Sequence, residues 1–210
     1  MALLPLAAKD ANGVAQSMVA FQDASSNNIP SVTLDTSRAV YRASASFVPV
    51  TTGALTLVQV QGSATKTVRI TRVIMSGSTA TTVAAMVAYT QLTSTAGTTG
   101  TAVTPTIAKL DTNSPTATAV VTHYTTAAQT VGTLIGGPIS FFQIPLIVTA
   151  VPTVGLPLPY TVFPENGAPL NQCIVLRGTA QYYNVVNSAP ANFANAPVLQ
   201  YTVEWIEDAS

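Results

Sequence analysis

The chain has 210 residues, 48% of them hydrophobic and only 8% charged, with eight Lys and Arg against eight Asp and Glu, one His and one Cys. A typical soluble domain is about 25% charged, so this chain has few groups for acid–base, metal or phosphate chemistry. Its zero net charge also lacks the concentrated basic surface that nucleic acid requires. The length suits one sandwich- or barrel-sized domain, with or without an arm, large enough to bury a core without disulfides.

Near the N-terminus, Asn12-Gly13 is a strong turn signal. A strand is predicted over residues 16–21, then a polar turn at 23–28 that Ile29-Pro30 breaks off. Residues 1–37 therefore read as an arm or hairpin, and residues 38–210 as the body. In the body, residues 40–48 alternate, with Tyr41, Ala43, Ala45 and Phe47 on one face, and a strand over 55–61 follows a Thr-Thr-Gly turn. The clearest period-2 pattern is 66–76: Val68, Ile70 and Ile74 point one way, and Thr67, Arg69, Thr71 and Val73 the other. Gly77-Ser78 reads as a turn into a partner strand over 83–92.

Residues 93–104 form a Thr/Gly/Ser/Ala stretch predicted to be an exposed loop. Ser114 and Pro115 suit a helix start, and Ala117, Val120, Val121 and Tyr124 follow helical spacing, while the β-branched content leaves a strand open. Residues 139–150 read as a strand in which Pro145 signals an edge or a bulge. The proline-rich stretch 151–169 reads as an extended connection over the outside of the fold. Residues 172–183 and 198–206 close the domain, with Leu199, Tyr201, Val203 and Trp205 on one face and Trp205 as a core anchor. The whole is predicted to be all-β: an antiparallel sandwich of jelly-roll type with an N-terminal arm or hairpin and at most one short helix. Its edges would be covered by contacts within a homo-oligomer.

The longest apolar stretch, 139–151, is interrupted by Gln143 and Pro145 and falls short of the roughly 20 residues a bilayer needs. Residues 1–8 lack the charged start of a signal peptide. The expectation is a protein made in a cytoplasm, with no membrane and no nucleic-acid partner. Cys173, followed by Ile174, Val175 and Leu176, reads as a small buried hydrophobe, and His123, between Thr122 and Tyr124, as a surface or interface residue. No serine lies in a nucleophile elbow, and one His with one Cys makes no zinc site. Asp111-Thr112-Asn113 reads as a turn rather than a calcium loop. No catalytic, cofactor or metal residue is assigned. Strict alternation splits the basic residues of the 66–76 strand, Lys66 and Arg72 on one face and Arg69 on the other, while Arg38 and Arg42 form a second cluster. In so charge-poor a chain these arginines are candidates for salt bridges or bidentate contacts to carboxylates at a subunit or partner interface. Tyr182 and Tyr183 join Arg38, Arg42, Arg69 and Arg72 as the candidate interface set.

Several stretches resemble virion structural proteins of tailed bacteriophages. They are Lys9-Asp10-Ala11-Asn12-Gly13-Val14-Ala15-Gln16-Ser17-Met18, Asp23-Ala24-Ser25-Ser26-Asn27-Asn28-Ile29-Pro30, Tyr41-Arg42-Ala43-Ser44-Ala45-Ser46-Phe47, Gln61-Gly62-Ser63-Ala64-Thr65-Lys66-Thr67-Val68-Arg69-Ile70, Val175-Leu176-Arg177-Gly178-Thr179-Ala180 and Val203-Glu204-Trp205. The proline-rich stretch departs from that pattern. The resemblance implies a capsid decoration (cement) protein: a non-enzymatic β-sandwich on the virion surface, commonly a trimer, that clamps subunits of the major capsid protein. A tail or head-fibre module that recognises a host glycan is the other expectation, with Tyr160, Tyr182, Tyr183 and Phe193 as its aromatic candidates.

Overall fold

The structure is a computed structural model that describes residues 5–9, 15–19, 21–22, 28–29, 39–49, 55–79, 85–125, 130–148, 159–163, 173–188 and 197–209. The chain divides into two compact units, Met1–Ser37 and Arg38–Ser210. In the first, β1 (Pro5–Lys9) pairs antiparallel with β2 (Ala15–Val19), and β3 (Phe21–Gln22) with β4 (Asn28–Ile29). The Asn12-Gly13 turn and Arg38 lie outside the described residues.

The second unit contains β5 (Val40–Phe47), β6 (Leu55–Gln61), β7 (Lys66–Thr79), β8 (Ala85–Thr93), β9 (Ala102–Val103), β10 (Ile107–Lys109), β11 (Val120–Tyr124), β12 (Ser140–Val148), β13 (Tyr160–Phe163), β14 (Ile174–Arg177), β15 (Tyr182–Asn187) and β16 (Val198–Ala209). They form one sheet in the order β10-β5-β16-β7-β12-β8-β15-β6-β11-β9, with β13 and β14 also on β7. The sheet curls into a half-barrel. Its two terminal strands, β9 and β10, are consecutive in sequence: residues 102–103 pair with β11 and residues 107–109 with β5. One short segment, with Pro105 at its middle, thus lies along both ends of the strand order. This keeps the edges short and blunt, which protects them from pairing with other chains.

The all-β class is as the composition predicts, and among the described residues there is no helix. Residues 120–124, the end of the helix candidate, form β11, where Val120, Val121 and Thr122 prefer the pleated surface that their branched Cβ atoms fit. Not all pairing is antiparallel: residues 146–148 of β12 run parallel to 77–79 of β7. Pro145, read as a mark of an edge or a bulge, sits instead where β12 changes neighbour, pairing with β8 through Pro145 and with β7 from Leu146. Gly77 and Ser78 are not a turn but the last part of β7. A Cβ on Gly77 would stand 2.7 Å from Cδ2 of both Leu146 and Leu199, so the glycine admits the strands on either side. Strand β8 does not pair with β7 but lies between β12 and β15. Part of the proline-rich connection is also a strand: β13 pairs with β7 and Val162 is buried.

The core gathers side chains from both halves of the curl. From the β5, β7, β14 and β16 half come Tyr41, Ala43, Phe47, Val68, Ile70, Val73, Met75, Leu176, Leu199, Tyr201, Val203 and Trp205. Facing them are Leu57, Val58, Val60, Met86, Ala88, Val121, Phe142, Ile144, Tyr183 and Val185. Trp205 is wholly buried and stacks on Tyr41 at 5.7 Å, as its anchor role predicts. His123 is a correction: it is buried on the inner face of β11, 4.8 Å from the Phe47 ring, with Nδ1 3.1 Å from the Tyr201 hydroxyl. Its alternation with Thr122 and Tyr124 placed it inward once this stretch became a strand. Glu207 is also buried. It accepts hydrogen bonds from the backbone amides of Thr118 and Ala119, at 2.9 Å each to Oε1, and from the Trp205 indole at 3.0 Å. That carboxylate satisfies donors of the segment leading into β11, donors that would otherwise be costly to bury.

Candidate functional site

The arginines meet on the outer face of β14, β7, β16 and β5, and a bulge in β7 brings them there. Glu204 on β16 lies opposite Arg72, but Trp205 lies opposite Ile70, so Thr71 is an extra residue on β7. Its hydroxyl donates to the Glu204 carbonyl at 3.1 Å. An extra residue reverses the alternation beyond it. Inward positions are therefore Val68 and Ile70 before the bulge and Val73 and Met75 after it. This corrects the strict period-2 reading twice. Val73 is core and Ile74 faces outward, and Arg69 and Arg72 share one face.

On that face Glu204 sits between Arg42 on β5 and Arg72 on β7, in register with both. Arg42 Nε donates to Glu204 Oε1 at 2.8 Å, Arg72 Nε to Oε2 at 2.8 Å and Arg72 Nη2 to Oε1 at 2.7 Å, and Arg42 Nη2 shares Oε1. Hydrogen bonding from Arg72 holds the Glu204 carboxyl below the usual carboxylate range, with Arg42 adding to it and burial opposing. The hydrogen bond to Asp208 raises the Arg69 guanidinium above its ordinary value. Arg69 Nη1 also lies 3.8 Å from Cys173 Sγ, so Cys173 is half-buried beside a cation rather than a core residue. Arg177 is exposed on β14, opposite Thr67, with Leu176 turned into the core.

The same face continues into an open groove of about 610 Å³ lined by Ser44, Ser46, Ile74, Ser76, Pro159, Gln200 and Thr202, with Ala45 and Tyr201 beneath. Its cross-strand ranks are regular. Beyond Arg42–Glu204–Arg72 comes Ser44–Thr202–Ile74, then Ser46–Gln200–Ser76.

The tyrosines are elsewhere. Tyr183 is buried in the core, and Tyr182 on β15 is half-buried, its hydroxyl accepting from Gln61 Nε2 at 3.0 Å. Tyr160 begins β13 and stacks on Phe142 at 5.8 Å, while Phe193 lies outside the described residues. On the outer side of β8, β15, β6 and β11 a buried polar ladder runs from Thr93 to Asn184, Gln59 and Tyr124, each joined to the next by a hydrogen bond of 2.8–3.0 Å. Asp111 and Asn113 form a turn, the Asn113 amide donating to Asp111 Oδ1 at 2.9 Å. Among the described residues no group of three or more His, Cys, Asp and Glu is placed to hold a metal ion.

Sequence reasoning missed a second exposed feature. Residues 134–141 run beside the end of β8, with Leu134 bridged to Thr93, the Ile135 and Ile139 amides donating to Leu92 and Thr90, and Phe141 opposite Tyr89. Leu134, Ile135 and Ile139 are exposed, and Phe141 is 67% exposed, its ring 5.4 Å from Tyr89. The loop from Ser94 is fastened beside it. Thr98 and Thr130 exchange backbone and hydroxyl bonds, and Gly132 approaches Thr95 so closely that a Cβ would stand 1.9 Å from its carbonyl oxygen. Of the predicted 93–104 loop, Thr93 is instead buried at the end of β8 and residues 102–103 form β9, while the stretch between is largely exposed but tied down at these points. No family model, no curated protein and no solved structure matches this chain.

Proposed function

We propose that this protein is a non-enzymatic virion structural protein of a tailed bacteriophage: a head decoration protein that binds the major capsid protein and stabilises the shell from the capsid surface, as a homo-oligomer, in the simplest case a trimer. The observation that carries the reading is the apolar patch at Leu134, Ile135, Ile139 and Phe141. A monomer rarely leaves so large an aromatic side chain exposed among aliphatic neighbours, and a neutral, charge-poor chain keeps poorly apart from others unless such surface is covered. Further support comes from where the phage-like stretches lie. Those within the body fall on β5, the end of β6, β7, β14 and β16, and β5, β16, β7 and β14 are successive neighbours. A sandwich of jelly-roll type is the finer architecture of this reading, supported by one core shared between the two halves of the curl. Many copies with several modest contacts each would hold by avidity.

Co-sedimentation with shells assembled from the major capsid protein tests the reading. The wild type is expected to pellet in fixed ratio to the shell and Phe141→Ser to bind at least tenfold more weakly; a wild type left in the supernatant would contradict it. Deleting residues 1–37 is expected to abolish pelleting while the body stays folded, and unchanged pelleting would remove the arm from the account. The exposed Phe141 ring, packed beside the half-buried Tyr89, also favours a second reading, a tail or head-fibre module for glycan recognition, since an exposed aromatic face offers a sugar a stacking platform. A glycan array that lights up with the wild type and darkens with Phe141→Ala would select it.

A further inference from the structure

We infer that the arginine face is a docking site for an extended, acidic segment of a partner protein, its carboxylate received between Arg42 and Arg72 and its backbone laid in the adjoining groove. This rests on the face itself and not on the virion reading. Four of the eight basic residues, Arg42, Arg69, Arg72 and Arg177, stand there against two carboxylates, Glu204 and Asp208. Among the described residues two positive charges are left over on this face, in a chain whose net charge is zero. A surplus concentrated in this way calls for an anion.

The geometry specifies which anion. Arg42 and Arg72 each direct Nε and one Nη2 N–H at the one Glu204 carboxylate and keep the edge made by Nη1 and the second Nη2 N–H, and the side chains are 42% and 45% exposed. Their anchoring to a shared acceptor holds the two forks at a fixed spacing before anything binds, which lowers the ordering cost of binding. A planar fork matches a carboxylate in two parallel bonds. Arg177, with no ion pair among the described residues, adds charge at the far end of the same face. One pleat repeat from the arginine rank, about 7 Å along the strands, the Ser44–Thr202–Ile74 rank opens the groove, and Ser46, Gln200 and Ser76 follow. These hydroxyls and amides can bond a peptide backbone, while Ile74 and Pro159 give it apolar contact. A nucleic-acid strand fits less well. It repeats a charge at every nucleotide, whereas this face offers two surplus charges and sets Glu204 and Asp208 among them.

Fluorescence anisotropy on the full-length chain tests this with a labelled ten-residue peptide of alternating Asp and Ser, the same peptide with Asn for Asp, and a ten-nucleotide oligothymidylate. The Asp peptide is expected to bind, at least tenfold tighter than the Asn peptide, and to weaken as salt rises. Arg177→Gln, which breaks no ion pair among the described residues, is expected to weaken it about threefold. Ser46→Trp, at an exposed position in the groove, is expected to weaken it at least tenfold, with the melting temperature unchanged. Failure of the Asp peptide to bind, equal binding of the Asn peptide, or binding untouched by both variants would overturn the proposal. Tighter binding of the oligothymidylate would overturn it in favour of a nucleic-acid surface.

Discussion

Glu204 shows how one residue organises a face. Its carboxylate is nearly buried and accepts from two arginines, so Glu204→Gln leaves two guanidiniums facing each other across a neutral amide. A loss of about 1–2 kcal/mol is expected, less than for a fully buried pair because both arginines are partly in water. Urea denaturation at pH 7 measures it. The gap also depends on pH. The folded state holds the Glu204 carboxyl below its ordinary value of 4.5, so its contribution is present above that pH and fades as the pH falls through the folded value. Wild type and variant should converge in acid; a constant gap would mean that charge is not the cause. His123 acts in the same direction at higher pH. Burial lowers the affinity of its imidazole for a proton below the ordinary 6.5, so the unfolded chain binds the proton more readily and stability declines as the pH drops below about 6.5. His123→Phe is expected to be less stable throughout, because the buried Tyr201 hydroxyl loses its partner, but to lack that part of the decline. Stability curves from pH 8 to 5 decide it.

At the scale of the element, β7 teaches most. Its inward positions were legible up to Ile70, where hydrophobic and polar residues alternate strictly. They were not legible beyond it, because the extra residue at Thr71 is defined by the partner strand: both Thr71 and Arg72 are polar, and nothing local says that Glu204 pairs with one and Trp205 skips the other. A pair of substitutions separates the two registers. Val73→Asp puts a charge in the core and is expected to cost more than about 3 kcal/mol, whereas Ile74→Asp lies on the outer face and is expected to change stability by less than about 1 kcal/mol. Thermal melts of the two variants in the opposite order would contradict the bulge. Gly77 is similar. From sequence, Gly followed by Ser reads as a turn, and only the contact of Leu146 and Leu199 from two distant strands shows why no side chain fits. The long alternating runs at β5 and β16 needed no such context, and their buried faces, with Trp205 and Tyr41, are those the sequence predicts. The candidate site was half-legible: the arginines stood out by their rarity, but their shared acceptor and common face needed the register.

At the scale of the molecule, the curl brings strands far apart in sequence into one core, and long-range pairing of this kind has no local signature. The parallel contact of β12 with β7 and the segment 102–109 along both ends of the strand order are its products. The Arg38–Ser210 unit contains the core cluster and the single tryptophan, wholly buried. Expressed alone, it is expected to keep the blue-shifted Trp205 emission of the full chain and to unfold in one transition. An emission maximum already at that of the unfolded chain would mean that the body needs residues 1–37 to fold. The proposed decoration role turns on where the protein acts, so its most direct test is the copy number in virions purified from the source of this sequence, relative to their major capsid protein, by quantitative mass spectrometry. Hundreds of copies in fixed ratio to the shell protein are expected. A dozen copies would move it to the tail or fibres and contradict shell decoration, and its absence from virions would contradict a virion role altogether.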